Sequence, residues 1–142
     1  MKEAVLSQEE WRSFLEELIN LCELECTPYD LLPYKAFWIK EGEEVEVLGA
    51  LCNLGEALCL MPEGTVFPCR RFPYPLGNIL KDGLGEAIDS PFLKTLKDRK
   101  YLKGRCGRCQ VKDCYGCRAL SYALFGDPYF EDWQCFREEI TP

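Results

Sequence analysis

The sequence predicts an α+β domain in which a small β-hairpin, short helices and long loops follow one N-terminal helix. Three observations support this fold class. Apolar residues recur at helical spacing near the N-terminus, a glycine-centred turn separates two short segments of alternating polarity, and later helices carry clear start and stop signals. The 142-residue chain is long enough to bury a modest core without relying on metals.

The first element is an amphipathic helix predicted over residues 7–22. Ser7 and Glu10 form a capping-box pattern at its start. Cys22 falls on the apolar stripe, where a small buried hydrophobe is favoured over a metal ligand. The apolar positions are Trp11, Phe14, Leu15, Leu18, Ile19 and Cys22.

A β-hairpin is predicted around Gly64, where the turn P-E-G joins the stretches E-A-L-C-L-M and T-V-F-P-C. Cys59 then lies on one arm and Cys69 at the end of the other. Between the first helix and this hairpin, prolines predict a loop over residues 27–34, and residues 44–51 are predicted to be extended.

Two later helices are predicted from their boundary residues. Ser90 followed by Pro91 is a typical helix start, with serine as N-cap and proline in the first turn. Residues 117–125 form a second short helix that Gly126 can end in a left-handed conformation. The residues of the first of these helices that should face the core are Phe92, Leu93 and Leu96.

Composition excludes several function classes. A net charge of −7 argues against a nucleic-acid partner, which requires a basic face. The N-terminus has no apolar signal-peptide core and no segment is long and uncharged enough to span a membrane, so we expect a cytoplasmic location. In that reducing compartment, clustered cysteines are metal ligands or redox groups more often than disulfides.

The motif C-G-R-C-Q-V-K-D-C-Y-G-C indicates metal binding, because a two-residue gap lets two thiolates converge on one centre. Zinc ribbons separate their two C-x2-C pairs by a long connector, whereas here only residues 110–113 intervene. The two pairs can therefore serve different centres, and their spacing does not identify the metal. The cysteines of the motif are Cys106, Cys109, Cys114 and Cys117.

Four further cysteines complete a set of eight, which is the number of ligands that two cubane iron-sulfur clusters need. Histidine is absent, so sites are made of cysteine alone or of cysteine with carboxylate. Cys22 and the neighbouring Cys26 are left over. The four further cysteines are Cys52, Cys59, Cys69 and Cys135.

The run from Cys52 to Cys135 resembles the SPASM domain, the C-terminal auxiliary-cluster domain of many radical SAM enzymes, and looks most like the haem-biosynthesis type. The segments that carry the resemblance are G-T-V-F-P-C from Gly64 to Cys69, L-G-N-I from Leu76 to Ile79, C-R-A-L-S-Y-A, and G-D-P-Y-F-E-D-W-Q-C ending at Cys135.

The resemblance implies two 4Fe-4S clusters with interleaved ligands, around which the loops wrap. The close run C-x2-C-x4-C-x2-C is shorter than the C-x2-C-x5-C-x3-C of the family, which leaves open the cluster to which Cys114 and Cys117 each belong. Asp113 is an alternative carboxylate ligand. The implied sets are Cys52, Cys59, Cys69 and Cys117 for the first cluster, and Cys106, Cys109, Cys114 and Cys135 for the second.

The resemblance also implies a domain division and a limit on activity. Residues 1–45 resemble the end of a radical SAM barrel with its linker, and residues 46–142 resemble the SPASM domain. The radical SAM motif C-x3-C-x2-C is missing, because Tyr29 stands where the third cysteine after Cys22 and Cys26 would be. We therefore expect a chain that is not catalytic alone, either a subunit or the C-terminal part of a radical SAM enzyme.

The expected function is electron relay or substrate anchoring beside a radical SAM catalytic chain or domain that acts on a peptide or a tetrapyrrole. A basic segment from Lys94 to Arg118 can stabilise anionic clusters or form an ordinary solvated face. Arg118, which directly follows Cys117, is the candidate cofactor-binding residue. The alternatives are a free-standing ferredoxin-like electron carrier and a structural zinc-binding module.

Overall fold

The computed structural model describes residues 5–25, 54, 56–110 and 114–135. In these ranges one long helix is followed by a small three-stranded sheet and several short helices, as an α+β fold requires. The predicted loop at 27–34 and the predicted extended segment at 44–51 lie outside the described residues.

Helix α1, Gln8–Glu25, confirms the predicted N-terminal helix and runs past the predicted end at residue 22. Its capping box is formed: the Ser7 backbone N–H donates to the Glu10 carboxylate at 2.8 Å, and the Glu10 N–H donates to Ser7 Oγ at 3.2 Å. These hydrogen bonds lower the pKa of Glu10. Neither α1 nor another helix in the described ranges is apolar enough over sufficient length to cross a bilayer.

The predicted hairpin is present as strands β1, Cys59–Leu60, and β2, Thr65–Phe67. A third antiparallel strand, β3, Gly77–Asn78, pairs with β2, so the sheet order is β1-β2-β3. The third strand lies within the L-G-N-I segment, and two residues are too few to show the alternating polarity that predicts a strand.

Four short helices follow the sheet in the part of the chain that the structure describes. Both predicted helices are confirmed: α3 begins at Pro91 after the N-cap Ser90, and α5 is followed by Gly126 in the left-handed region at φ 69°. The side chain of Ser90 makes no capping hydrogen bond, so the proline defines this start. The helices are α2, Leu84–Ile88; α3, Pro91–Leu96; α4, Gly104–Arg108; and α5, Arg118–Phe125, with a 3-10 turn at Arg99–Tyr101.

Helix α4 was not predicted, although it carries the first cysteine of the close run. Cys106 lies inside α4, and Cys109 caps its C-terminus, where the Cys109 N–H donates to the Arg105 carbonyl at 2.9 Å. The helix has five residues, of which two are glycine, so neither apolar periodicity nor helix propensity indicates it.

The core forms where the segment after the hairpin meets α3 and α5. Phe72 packs against Tyr122 of α5 with ring centroids 5.2 Å apart and against Phe92 of α3 at 5.9 Å. Leu93 and Leu96 are buried and Phe92 is partly buried, as predicted. The buried members of this core cluster are Leu54, Phe72, Leu96 and Ala119.

We predict that Gly126→Ala destabilises the protein by about 1–2 kcal/mol, because alanine is strained in the left-handed conformation that ends α5. No atom lies within 4 Å of the added Cβ, so the cost comes from the backbone alone. Urea unfolding of anaerobically purified protein measures it.

The matched control is Gly85→Ala in α2, where φ is not positive and the added Cβ also meets nothing within 4 Å. It should be neutral or stabilising by up to about 1 kcal/mol. Equal effects of the two substitutions would contradict the backbone explanation.

Candidate metal site

None of the seven cysteines with described side chains forms a disulfide; they are Cys59, Cys69, Cys106, Cys109, Cys114, Cys117 and Cys135. Cys26, Cys52 and Asp113 lie outside the described residues, and Cys22 is described only in its backbone. Across 5–25, 54, 56–110 and 114–135, no three Cys, Asp or Glu side chains are grouped so that they could hold a metal ion. The division of the ligands between two clusters stays a prediction.

The hairpin brings two of the predicted first-cluster ligands to the same end of the sheet. Cys59 opens β1 and pairs with Phe67, the last residue of β2. Because the strands are antiparallel, Cys69, two residues beyond Phe67, emerges at the end of the hairpin where Cys59 lies.

Cys117, a third predicted ligand of the first cluster, packs against the same core cluster as Cys69. Cys69 and Cys117 both pack against the buried core residues Leu54, Phe72, Leu96 and Ala119. Leu54 is buried in this core, whereas Cys52, the fourth predicted ligand, lies outside the described residues. One apolar cluster therefore contacts both Cys69 and Cys117, although they are 48 positions apart in the sequence.

Two arginines hold the backbone of three predicted second-cluster ligands. The Arg99 guanidinium donates to the carbonyl oxygen of Cys109 and, at 2.9 Å, to that of Cys114. Arg105 Nη1 donates to the carbonyl oxygen of Cys135 at 2.9 Å. Arg105 also forms a salt bridge with Glu131, in which Nε lies 3.5 Å from Oε2. Both side chains are mostly buried. These members of the basic segment therefore have structural roles beyond a solvated face.

The thiol of Cys106 is buried and receives two N–H donors. The backbone N–H of Asp132 lies 3.3 Å from its Sγ, and Arg118 Nη2 lies 3.6 Å away. Burial raises the pKa of Cys106, while the Asp132 N–H and the Arg118 charge act in the opposite direction. N–H donors directed at a buried sulfur are the surroundings of a thiolate that ligates a cluster, so this donor set fits the group.

Arg118 is completely buried, and carbonyl oxygens take up its other hydrogen bonds. Its Nη1 donates to Phe130 at 2.7 Å and to Pro128 at 3.0 Å. Among the described residues, its Nε has no hydrogen-bond partner. A buried guanidinium is costly unless its charge and donors are compensated, and the buried carboxylate of Asp132 lies in the same space beside Gly116.

Asp132 is a buried carboxylate that sequence reasoning did not single out. Its Oδ2 accepts a hydrogen bond from the Cys117 N–H at 2.6 Å, and its Oδ1 accepts one from the Gln134 N–H at 3.1 Å. It lies in the G-D-P-Y-F-E-D-W-Q-C segment, and the resemblance of that segment to the SPASM domain was the only sequence feature that pointed to it. Asp127 of that segment is a turn residue, as its position after Gly126 indicates: its Oδ1 accepts from the Tyr129 N–H at 2.9 Å.

Gly116 makes room for the two buried charged side chains. Its φ is 62°, and an added Cβ would lie 2.7 Å from Arg118 Nη2 and 2.9 Å from Asp132 Cβ. A side chain at this position therefore clashes with both residues that contact Cys106.

Comparison with known proteins supports the resemblance seen in the sequence. Residues 52–110 match the family model SPASM, described as an iron-sulfur cluster-binding domain. The chain is 33% identical over 120 residues to a protein named AdoMet-dependent heme synthase from Methanosarcina barkeri, which covers 78% of this chain and 34% of that protein. No solved structure matches the chain.

A second relative of the same name comes from Nitratidesulfovibrio vulgaris and is 30% identical over 87 residues, which covers 59% of this chain and 24% of that protein. The chain thus spans about a third or less of the length of these curated relatives. The SPASM match ends before Cys114, Cys117 and Cys135, whose role as ligands stays a prediction.

We predict that Arg99→Lys weakens metal retention about tenfold, because lysine cannot donate to the Cys109 and Cys114 carbonyls at once. The rate at which a chelator bleaches the visible absorbance of metal-loaded protein measures this.

The matched control is Arg71→Lys on an exposed arginine in the turn after the hairpin. It should bleach at the rate of the unaltered protein. Equal bleaching rates for both variants would show that Arg99 does not support the site.

Proposed function

We propose that the chain binds two 4Fe-4S clusters as the auxiliary part of a radical SAM enzyme. The proposal starts from residues 52–110, which match the SPASM family of iron-sulfur cluster-binding domains. Its roles there are electron relay or substrate anchoring beside the catalytic chain or domain. A cytoplasmic location fits this proposal, since free thiols persist in a reducing compartment.

The observation that carries the proposal is the buried Cys106 sulfur with its two N–H donors. A simple packed cysteine needs no hydrogen bonds, whereas Arg118 Nη2 and the Asp132 N–H lie 3.6 and 3.3 Å from the Cys106 sulfur. A cluster with four thiolates is anionic, and nearby cations and N–H groups offset the cost of burying it.

The residues that would hold the clusters are the two predicted sets, with Cys52, Cys59, Cys69 and Cys117 in one and Cys106, Cys109, Cys114 and Cys135 in the other. The clusters would supply one-electron transfer without an open iron, because all four corners carry thiolates. Arg118 places a positive charge beside Cys106, and Arg99 and Arg105 fix the ligand backbone. No general base is required of this chain.

A tetrapyrrole is the substrate class that we favour over a peptide, because both relatives carry the name AdoMet-dependent heme synthase. The chain would contribute to that chemistry together with a part that binds S-adenosylmethionine.

We predict about eight irons and eight sulfides per chain after anaerobic purification or reconstitution, with the broad absorbance of 4Fe-4S clusters. Cys135→Ser should remove about half of the iron, since it takes one ligand from one cluster. Iron and sulfide analysis provides the measurement.

The matched control is Cys22→Ser, which replaces a cysteine outside both sets and should leave the iron content unchanged. A colourless protein that contains zinc would reject the two-cluster proposal in favour of a structural zinc module.

We predict that the chain alone does not cleave S-adenosylmethionine to 5′-deoxyadenosine under reducing conditions, because cleavage needs an iron with an open position. Product should form only with a chain that carries C-x3-C-x2-C, and Cys117→Ala should abolish it. Chromatography of the nucleoside products is the measurement. Cleavage by this chain alone would mean that one cluster has an open iron. Reduction of a generic electron acceptor by the chain without a partner would favour a free-standing electron carrier.

A further inference from the structure

Asp132 contacts one cysteine from each of the two predicted ligand sets. Its side chain accepts the Cys117 N–H at 2.6 Å, and its own backbone N–H points to Cys106 Sγ at 3.3 Å. Cys117 belongs to the predicted first set and Cys106 to the second. Asp132 therefore links the two sets through two hydrogen bonds, one made by its side-chain carboxylate and one by its backbone N–H.

This link is buried. Asp132 is 3% exposed, and a carboxylate at this depth is retained only where donors compensate its lost hydration. Two backbone N–H groups, from Cys117 and Gln134, supply that compensation. Hydrogen bonds between a buried carboxylate and backbone N–H groups are stronger than the same bonds in water, because the local dielectric constant is low.

We propose that Asp132 is a positioning residue that couples the two clusters, so that its carboxylate sets the reduction potential of both. This inference rests on the proposed two-cluster function and on the implied assignment of Cys117 and Cys106 to different clusters. It goes beyond that function in assigning a link between the clusters, whereas the function requires only that each be bound.

Arg118 forms a second connection between the two sets, and it also holds the Asp132 connection in place. It follows Cys117 in the chain, and its Nη2 reaches Cys106 Sγ at 3.6 Å. Its bonds to the carbonyls of Pro128 and Phe130 hold the loop that ends at Asp132. The crowding at Gly116, where a Cβ would touch both Arg118 and Asp132, shows that the two side chains share one space.

The physical consequence concerns charge. A negative carboxylate near a cluster disfavours the added electron, so its removal should raise the potential of each cluster that it contacts. An electron that passed between the clusters would be lost by one and gained by the other, so no further reactant would be needed.

The test is redox titration of the reconstituted chain with electron paramagnetic resonance detection, comparing the unaltered protein with Asp132→Asn. Asparagine has nearly the same shape but no charge, and the backbone N–H to Cys106 remains. We expect about a tenfold rise in the reduced-to-oxidised ratio of both clusters at a fixed potential, which is 59 mV for a one-electron couple.

The matched control is Asp127→Asn, in the same loop. Asp127 binds Lys103 Nζ at 2.6 Å and the Tyr129 N–H, and neither residue is a cysteine. Neither potential should shift. A shift of only one cluster in Asp132→Asn, or of neither, would overturn the coupling while the iron content still supports the two-cluster function.

A second variant covers the case in which Asp132→Asn does not hold its iron. Arg118→Lys keeps the positive charge but cannot bind Cys106 and the Pro128 and Phe130 carbonyls together, so the Asp132 loop should loosen. We expect changed spectra and potentials for both clusters. Changes confined to one cluster would overturn the inference, and zinc in place of iron in the unaltered chain would overturn the proposed function itself.

Discussion

The buried guanidinium of Arg118 is the constraint on which the cysteine region depends. A charge that is fully removed from water must find acceptors, and Arg118 finds them in the carbonyls of Pro128 and Phe130. The loop after α5 must therefore fold back over the start of that helix. This return brings Asp132 beside Cys106 and Cys117, so one charge determines the course of a loop ten residues away.

The same principle operates at Arg99 and Arg105, whose donors bind cysteine carbonyls. Helices as short as α4 have little stability of their own, since isolated helices need several more turns. Side chains that bridge distant backbone segments replace the missing internal stability. A chain with a net charge of −7 thus uses Arg99 and Arg105 to hold the backbone of its cysteine-rich loops.

Much of the fold was predictable where a residue at an element boundary carries the signal, as Gly64, Pro91 and Gly126 do. The hairpin and helices α3 and α5 were predicted for this reason. Helix α4 was not, because two glycines in five residues give no helical pattern. Arg118 was identified from its position after Cys117, but Asp132 was not, because its contacts join residues 15 and 26 positions apart and such pairing has no local pattern.

The bond from Arg105 to the Cys135 carbonyl spans 30 residues and closes the cysteine region from its far end. It cannot form while the ribosome still covers residue 135. During synthesis, α4 and the cysteines beside it are therefore made before the segment that carries Cys135. The contact that joins the two segments must form after both have been made, which gives the folding of this region a fixed order in time.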